Sequence, residues 1–417
     1  MGSTVEKKDL LERLTEGFEA SGYSGKPERQ KAIDALRGRG LPHSKSEEYR
    51  FTPVVRALEA TFEPASPVKP EIRGSLRLIK DTLGSQIVFV NGRLAPEQTR
   101  LEKGLTLTFA PLPALQPGQD PFDILNLAFA ENLVTLNVDN GIELRDPLSI
   151  VHYIDNAGFV FANPRWTINV GETASVTVLE YTVFAGATPY FNNKQSTINA
   201  GKGARIEFIT IQQGGREEVM VNNAQVRLAD AAHALCYTCT LEGRLIRNNL
   251  TMTLEGEQID AHLNGLYLVS GNSLVDNHTV VDHQKPNSFS NELYKGVMDE
   301  NGKAVFNGKI FVRQDAQKTN AFQSNRNILL SETSNIHTKP QLEIWADDVK
   351  CSHGCTTGQL DEEALFYLRS RGISKDIARG LLLTAFGSET LEGIRHESIR
   401  GYVESLILKK LHPAEAS

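Results

Sequence analysis

A short repeat constrains the fold of this chain more than any other feature of its sequence. Three clear copies start at Asn169 (NVGETASVTVLEY), Asn199 (NAGKGARIEFITI) and Arg227 (RLADAAHALCYTC), and a weaker copy starts at Thr253. The offsets between these starts are 30, 28 and 26 residues. Each copy joins a polar turn to an alternating run, β-branched in the first two copies, which is typical of strands in a stacked repeat. This length fits one coil of a parallel β-helix, whereas a propeller blade needs about 40 residues.

The β pattern extends well beyond the repeats, from about Ser85 to Lys350, and helical periodicity is nearly absent there except around Asp123 to Asn132. We therefore predict a mainly β chain with a parallel β-helix core over residues 145–350. Residues 1–70 are predicted to form an N-terminal helical domain, 71–144 a mixed connecting segment, and 351–417 a C-terminal helical domain.

Two cysteines of the third repeat form a C-x-x-C motif, which in another context suggests zinc or redox chemistry. Aligning the repeats places Cys236 where the other copies have Val178 and Phe208, and Cys239 where they have Tyr181 and Ile211. Cysteine packs as a small hydrophobic residue, and residues three apart on one strand face opposite ways. We therefore predict that both are core cysteines.

The N-terminal residues have a helical pattern, with Leu10, Leu14 and Phe18 on one face. The proline and charged residues of the segment 40–54 favour an extended, exposed conformation, and the Pro-rich segment 64–71 is predicted to be a linker.

The C-terminal residues also have a helical pattern. Asp361 and Ser374 are suitable helix caps. The second helix is predicted to carry an apolar stripe formed by Ile377, Leu381, Leu382 and Phe386. The hairpin between residues 362 and 386 carries four basic and three acidic residues, too few net positive charges for a DNA-reading motif. A hairpin that docks a protein partner is the better interpretation.

Composition and charge exclude several classes of function. The net charge of −7 and the pI near 5.9 argue against nucleic acid or an anionic membrane as the main partner. The first residues lack an apolar segment, so we expect no signal peptide, and no apolar run approaches the ~18 residues that cross a bilayer. Four cysteines among 417 residues do not form a disulfide framework, which favours the cytoplasm.

The most informative chemistry lies in the sequence DDVKCSHGCTTG, where Cys351, His353 and Cys355 fall within five residues. Thiolate and imidazole suit zinc and iron–sulfur chemistry, whereas magnesium and calcium prefer oxygen. On an extended backbone Cys351 and His353 share a face. A metal role competes with a purely structural one, because no second ligand pair lies close by in sequence.

A second group of polar residues, Asp276, His278, Asp282 and His283, could be imagined as a metal site with two histidines and a carboxylate. Polar residues that stack on neighbouring strands or lie in turns account for this group more simply, without a metal. Motifs for nucleotide hydrolysis, a nucleophile elbow or a zinc protease are absent from the sequence.

Four stretches of the chain give a specific resemblance: LPHSKSEEYRFTP, VDHQKPNSFSNELYKGV, the run from NGKIFVRQDAQKTNAFQSNRNILLS into KPQLEIWADDVKCSHG, and FYLRSRGI. The chain resembles the SufB/SufD family, the scaffold-type subunits of the Suf iron–sulfur cluster assembly system. The first stretch favours the SufD branch over the SufB branch.

The resemblance implies a right-handed parallel β-helix between two helical domains, and a complex with SufB and with the ATPase SufC. It implies that SufB pairs at the end of the β-helix, where His353 and Cys351 would help to hold a transient iron–sulfur cluster in the complex only. It implies that the C-terminal helices bind SufC, and we expect this surface to include Phe366, Arg369, Arg371 and Leu382. A homodimer in isolation is possible.

Cys355 departs from the family pattern, in which a small residue without a thiol is expected. The chain has gained either a ligand or a buried or oxidisable thiol.

Two functional hypotheses follow. In the first, the chain is a non-catalytic assembly subunit, with ATP hydrolysis in SufC. In the second, it is a β-helix enzyme acting on a carbohydrate, which would need a groove with carboxylates and aromatic residues; the chain has only two tryptophans. The resemblance favours the first.

Overall fold

A computed structural model of the chain describes residues 8–23, 26–62, 72, 76, 84–155, 158–186 and 189–411. The predicted linker at 64–71 lies outside them. The α-helices of the described part are α1 Leu10–Ala20, α2 Pro27–Arg39, α3 Val54–Thr61, α4 Pro121–Phe129, α5 Glu362–Ser370, α6 Lys375–Ser388 and α7 Glu397–Leu411.

The strands lie between the N-terminal and C-terminal helices. They are β1 Gln86–Val90, β2 Arg93–Leu94, β3 Leu105–Ala110, β4 Leu133–Val138, β5 Leu148–Ile154, β6 Val160–Ala162, β7 Arg165–Val170, β8 Ser175–Phe184, β9 Tyr190–Ala200, β10 Arg205–Gln213, β11 Glu218–Leu228, β12 His233–Glu242, β13 Leu245–Leu254, β14 Asp260–Val269, β15 Leu274–His283, β16 Phe289–Met298, β17 Lys303–Val312, β18 Asn320–Leu329, β19 Asn335–Ile344 and β20 Lys350–Gly358.

The strands form two sheets in which chain order alternates, as a parallel β-helix requires. Sheet A runs from β2 through β1, β5 and β8 and then through the even-numbered strands to β20. Sheet B runs from β3 through β4 and β7 and then through the odd-numbered strands to β19. From β7 onward each coil places one strand in each sheet, and the neighbours in a sheet are parallel. The predicted β-helix is confirmed, with about eight turns.

The hydrogen-bonded register matches the alignment of the first three repeats. Ile206 pairs with Val176 on one side and Ala234 on the other, as the offsets of 30 and 28 residues require. The weaker fourth copy keeps its offset of 26 in sheet B, where Leu228 pairs with Leu254. In sheet A the offset is 27, because Ala234 pairs with Ala261. The turn before β14 is therefore one residue longer, and it contains Gln258 with a φ of 58°.

The two core cysteines, Cys236 and Cys239, are buried and face opposite sides of β12, as predicted. Cys236 lies in the apolar core inside the coils, whereas Cys239 packs in the layer between sheet A and the C-terminal helices. Burial raises the pKa of both thiols to about 12, so neither forms a reactive thiolate at neutral pH.

The N-terminal helices cover the outer face of sheet B, and the segment 40–54 helps to fix them there. The prediction that this segment is extended and exposed was wrong in part: its charged residues are exposed, but Tyr49 is buried in a short 3-10 turn and Arg247 lies 3.9 Å from the centre of its ring. Arg247 also donates to Asp276 at 2.6 Å, and Asp276 accepts from Thr52. Tyr49 and Thr52 therefore attach this segment to a buried ion pair of the β-helix.

The C-terminal helices cover the outer face of sheet A. Asp361 and Ser374 accept hydrogen bonds from the first turns of α5 and α6 and are helix caps, as predicted. Two residues of the predicted apolar stripe of α6, Ile377 and Leu381, are exposed, and the helix instead buries Leu383, which the prediction did not include. The apolar residues of α6 occupy more than one face, and the contact with sheet A selects the face that contains Leu383.

The β-helix ends in an open coil formed by β19 and β20, the last strands of the two sheets. Every residue of β20 from Ser352 to Gly358 is exposed.

None of the helices in the described part of the chain has the length and hydropathy needed to cross a bilayer.

Candidate functional site

The open coil brings the predicted thiols and imidazole together on one face of β20. In the parallel register, Cys351 lies over Ala321, His353 over Gln323 and Cys355 over Asn325. Those three residues of β18 are buried inside the coil, and residues paired in register point the same way. Cys351, His353 and Cys355 therefore all face the interior, with successive residues about 6.6 Å apart along the strand. No further coil of the described residues lies above them. We call them the mouth row.

The two thiols of the mouth row have different surroundings. Cys351 is half-buried against the apolar core, and burial raises the pKa of its thiol. Cys355 is exposed, with its sulfur 2.8 Å from the hydroxyl oxygen of Thr338 on the opposite strand and 3.9 Å from Oδ1 of Asn325. Sequence reasoning left the role of Cys355 open, and the structure places it on the same face as His353.

His353 is exposed, and its ring makes no hydrogen bond with any described residue. A neutral imidazole has one N–H donor and one lone pair, and it can ligate a metal through the nitrogen that carries no proton. The mouth row thus offers sulfur and nitrogen donors suited to soft metals. It does not complete a site: no group of three or more His, Cys, Asp or Glu residues in the described ranges is placed to hold a metal.

The free edge of β20 also exposes backbone donors. The N–H of Lys350 donates to the carbonyl of Thr319 in the preceding coil, and the N–H groups of successive residues alternate between the two sides of a strand. The N–H groups of Cys351, His353, Cys355 and Thr357 therefore point to the unpaired side, where a strand of another subunit can pair with them.

A buried polar pair lies directly beneath His353. Gln323 donates from Nε2 to Oε2 of Glu292 at 2.6 Å, and Glu292 is the in-register neighbour of Gln323 on β16. Burial raises the pKa of the Glu292 carboxyl to about 7. Sequence reasoning missed this pair. A polar residue on a strand can face either the interior or the solvent, and the sequence does not tell which until the register of the strands is known.

The imagined metal site at Asp276, His278, Asp282 and His283 is not assembled. His278 lies 3.0 Å from Asp276 and 3.3 Å from Glu48, next to the N-terminal helices. His283 faces the interior, where its Nε2 is 2.9 Å from the hydroxyl oxygen of Ser290. The two histidines therefore lie on opposite faces of β15.

The residues expected to bind SufC lie on α5, the turn after it and α6. Phe366 is 74% exposed, and Arg369 and Arg371 are exposed beside it. Leu382 is only partly buried. The exposed pair Ile377 and Leu381, two residues of the predicted apolar stripe, extends this apolar surface.

Comparisons with known proteins show the family of the chain. A family model described as the SufBD core domain of SUF-system FeS cluster assembly matches residues 152–386. The iron–sulfur cluster assembly protein SufD of Escherichia coli is 31% identical over 422 aligned residues, which cover 99% of each chain. An iron–sulfur cluster assembly SufBD family protein of Synechocystis is 31% identical, over 91% of this chain and 89% of its own.

A chloroplastic protein of Arabidopsis thaliana, ABCI7, is 27% identical, over 94% of this chain and 88% of its own. The matches thus run almost from end to end and include the mouth row, the β-helix and the C-terminal helices. The chain belongs to the SufBD family of iron–sulfur cluster assembly proteins, as a SufD-type member.

Proposed function

We propose that the chain is a non-catalytic subunit of a SufBCD-type complex, which builds iron–sulfur clusters with ATP hydrolysed by the partner SufC. The mouth row carries this proposal. It faces an open coil, it offers donors for iron, and it is short of the four ligands that a cluster iron needs. The missing ligands must come from sulfide or from a second subunit.

The nascent cluster is cargo, held by His353 and Cys351 only while the SufB-type partner covers the mouth. Cys355 lies on the same face and can join this ligand set from the other side of His353. Covering the mouth also removes water, which strengthens the interaction of the donors with metal. We expect the isolated chain to hold no cluster, because the mouth row alone does not complete an iron site.

The free edges of β19 and β20 suit a partner with the same architecture. A second β-helix can continue the two sheets by pairing its own terminal strands with these edges. A SufB-type subunit is such a partner, and in its absence the same edges allow a homodimer. We place the complex in the cytoplasm, where thiols stay reduced; all four cysteines of the chain are free.

The hairpin of α5 and α6 is proposed to bind SufC. The rest of the C-terminal region packs on sheet A, through Lys295 and Glu389 for example, so the hairpin has a rigid base. Its outer face combines exposed apolar residues with Arg369 and Arg371. Apolar anchors surrounded by charged residues are typical of protein interfaces.

Removing one free-edge N–H tests the pairing through β20. Thr357→Pro deletes a donor that points to the unpaired side, and proline is tolerated on edge strands. Thr357→Val keeps this donor and removes only the hydroxyl. We expect the proline variant to co-purify much less SufB homologue than wild type, and the valine variant to co-purify a normal amount. Equal recovery with both variants, at unchanged circular dichroism, would reject pairing through this edge.

A further inference from the structure

The buried amide of Gln323 has one satisfied end and one unsatisfied end. Its Nε2 donates to Glu292, whereas its Oε1 is buried and has no hydrogen-bond partner in the described part of the chain. Glu292 and Gln323 are 1% and 3% exposed, so water does not replace the missing partner freely. The carboxyl of Glu292 thus fixes which end of the amide points down the coil and leaves the carbonyl end free.

A glycine on the facing strand of sheet B leaves space for this amide. Gly308 of β17 lies across the coil, and a Cβ added there would come within 2.1 Å of Nε2 of Gln323. Any other residue at position 308 would displace the amide. The space for Gln323 is therefore built into two strands from different sheets.

His353 is the in-register neighbour of Gln323 on the open side. Its Cα lies about 4.8 Å further along the coil axis, and both side chains point to the interior. Among the described residues, neither the ring of His353 nor the carbonyl end of Gln323 has a hydrogen-bond partner. Glu292, Gln323 and His353 thus form a column of inward residues in three successive coils. Within this column, an imidazole donor and an amide acceptor that both lack partners lie in adjacent coils.

We propose that Gln323, held by Glu292, is a positioning residue for His353: its Oε1 accepts the ring N–H and directs the other ring nitrogen out of the mouth. This deepens the proposed function, on which its role in cluster assembly rests. Histidines that ligate metals generally donate their other N–H to a carboxylate or carbonyl group, which fixes the tautomer and the ring orientation. Oε1 of Gln323 accepts the N–H of His353 already in the isolated chain, and the bond becomes stronger when the partner covers the mouth and removes water.

The test separates positioning from packing by changing the column in two ways. Glu292→Leu combined with Gln323→Met removes both polar groups at similar volume, so that no buried carboxyl is left unpaired. Glu292→Gln combined with Gln323→Glu exchanges them, and this swap keeps both the bond within the pair and an acceptor for His353. The double apolar variant and the swap have the same number of changes at the same positions.

The first readout is the tautomer of His353 in the full chain. Imidazole ¹⁵N–¹H correlation spectra at about pH 8, where exposed imidazoles are neutral, report which nitrogen carries the proton, and His353→Ala identifies the signals. We expect one dominant tautomer in wild type and in the swap, and averaged ring shifts in the apolar variant. Averaged shifts in wild type, or one unchanged tautomer in the apolar variant, would overturn the proposal.

The second readout is the cluster content of the co-purified complex. We expect about a tenfold loss in the apolar variant, in line with the 10–100-fold cost of removing such supporting contacts, and recovery in the swap. A loss that the swap does not repair would mean that the column only packs, and would also overturn the proposal. Because the tautomer is measured on the chain alone, this readout tests the role of Gln323 independently of the SufBCD assignment.

Discussion

A buried carboxyl in the β-helix should make the protein less stable as the pH rises. Glu218, at the start of β11, is completely buried, and burial raises the pKa of its carboxyl from 4.5 to about 7, although Lys194 opposes this shift. The unfolded chain therefore loses this proton first, and stability falls between about pH 4.5 and 7 and is constant above. A shift of about 2.5 units corresponds to a loss of about 3 kcal/mol.

Glu218→Gln should remove this loss, because an amide of similar shape does not ionise. From pH 5 to pH 8, we expect the difference in unfolding free energy between variant and wild type to shift by about 2 to 3 kcal/mol in favour of the variant. Urea unfolding followed by the fluorescence of the buried Trp166 measures it. Glu217→Gln, at the exposed neighbouring residue, is the matched control and should give no such shift. A difference for Glu218→Gln that is equal at both pH values would refute the reasoning.

Two further predictions concern the cysteines and the C-terminal hairpin. Iodoacetamide should alkylate Cys355 of the full chain first, as followed by mass spectrometry. Cys351 should react more slowly because burial raises the pKa of its thiol, and the two core cysteines only on unfolding. Equal rates at Cys351 and Cys355 would contradict the burial argument. Charge reversal at Arg369 and Arg371 should weaken SufC binding at least tenfold in a titration. The control, charge reversal at exposed Lys409 on α7, should leave the affinity unchanged. Unchanged affinity of the Arg369 and Arg371 variant would reject this docking site.

The β-helix could be predicted because its determinants are local and repeated. The alternation of inward residues is read directly from the sequence, and the same three inward positions recur in successive coils. The fourth copy shows where this fails: one extra turn residue near Gln258 shifts the register in sheet A without changing the alternation. Turn length is a local choice that a weak repeat does not reveal.

Contacts that depend on packing between elements could not be predicted. Helix α6 carries apolar residues on more than one face, and only sheet A decides that Leu383 is buried and Ile377 exposed. The segment 40–54 reads as polar, yet Arg247 and Asp276 supply buried partners from strands about 200 residues away in sequence. For the same reason, the Glu292–Gln323 pair beneath His353 became visible only with the register.

The central claim is that His353 contributes a ligand to a cluster assembled at the open end of the β-helix. The direct measurement is the iron and sulfide content, with the visible absorption spectrum, of complexes reconstituted with SufB and SufC homologues and either wild type, His353→Ala or Ser352→Ala. Ser352 lies on the same strand but faces outward. We predict that all three complexes assemble and that only His353→Ala sharply lowers cluster content. Wild-type cluster content in the His353→Ala complex would contradict the account.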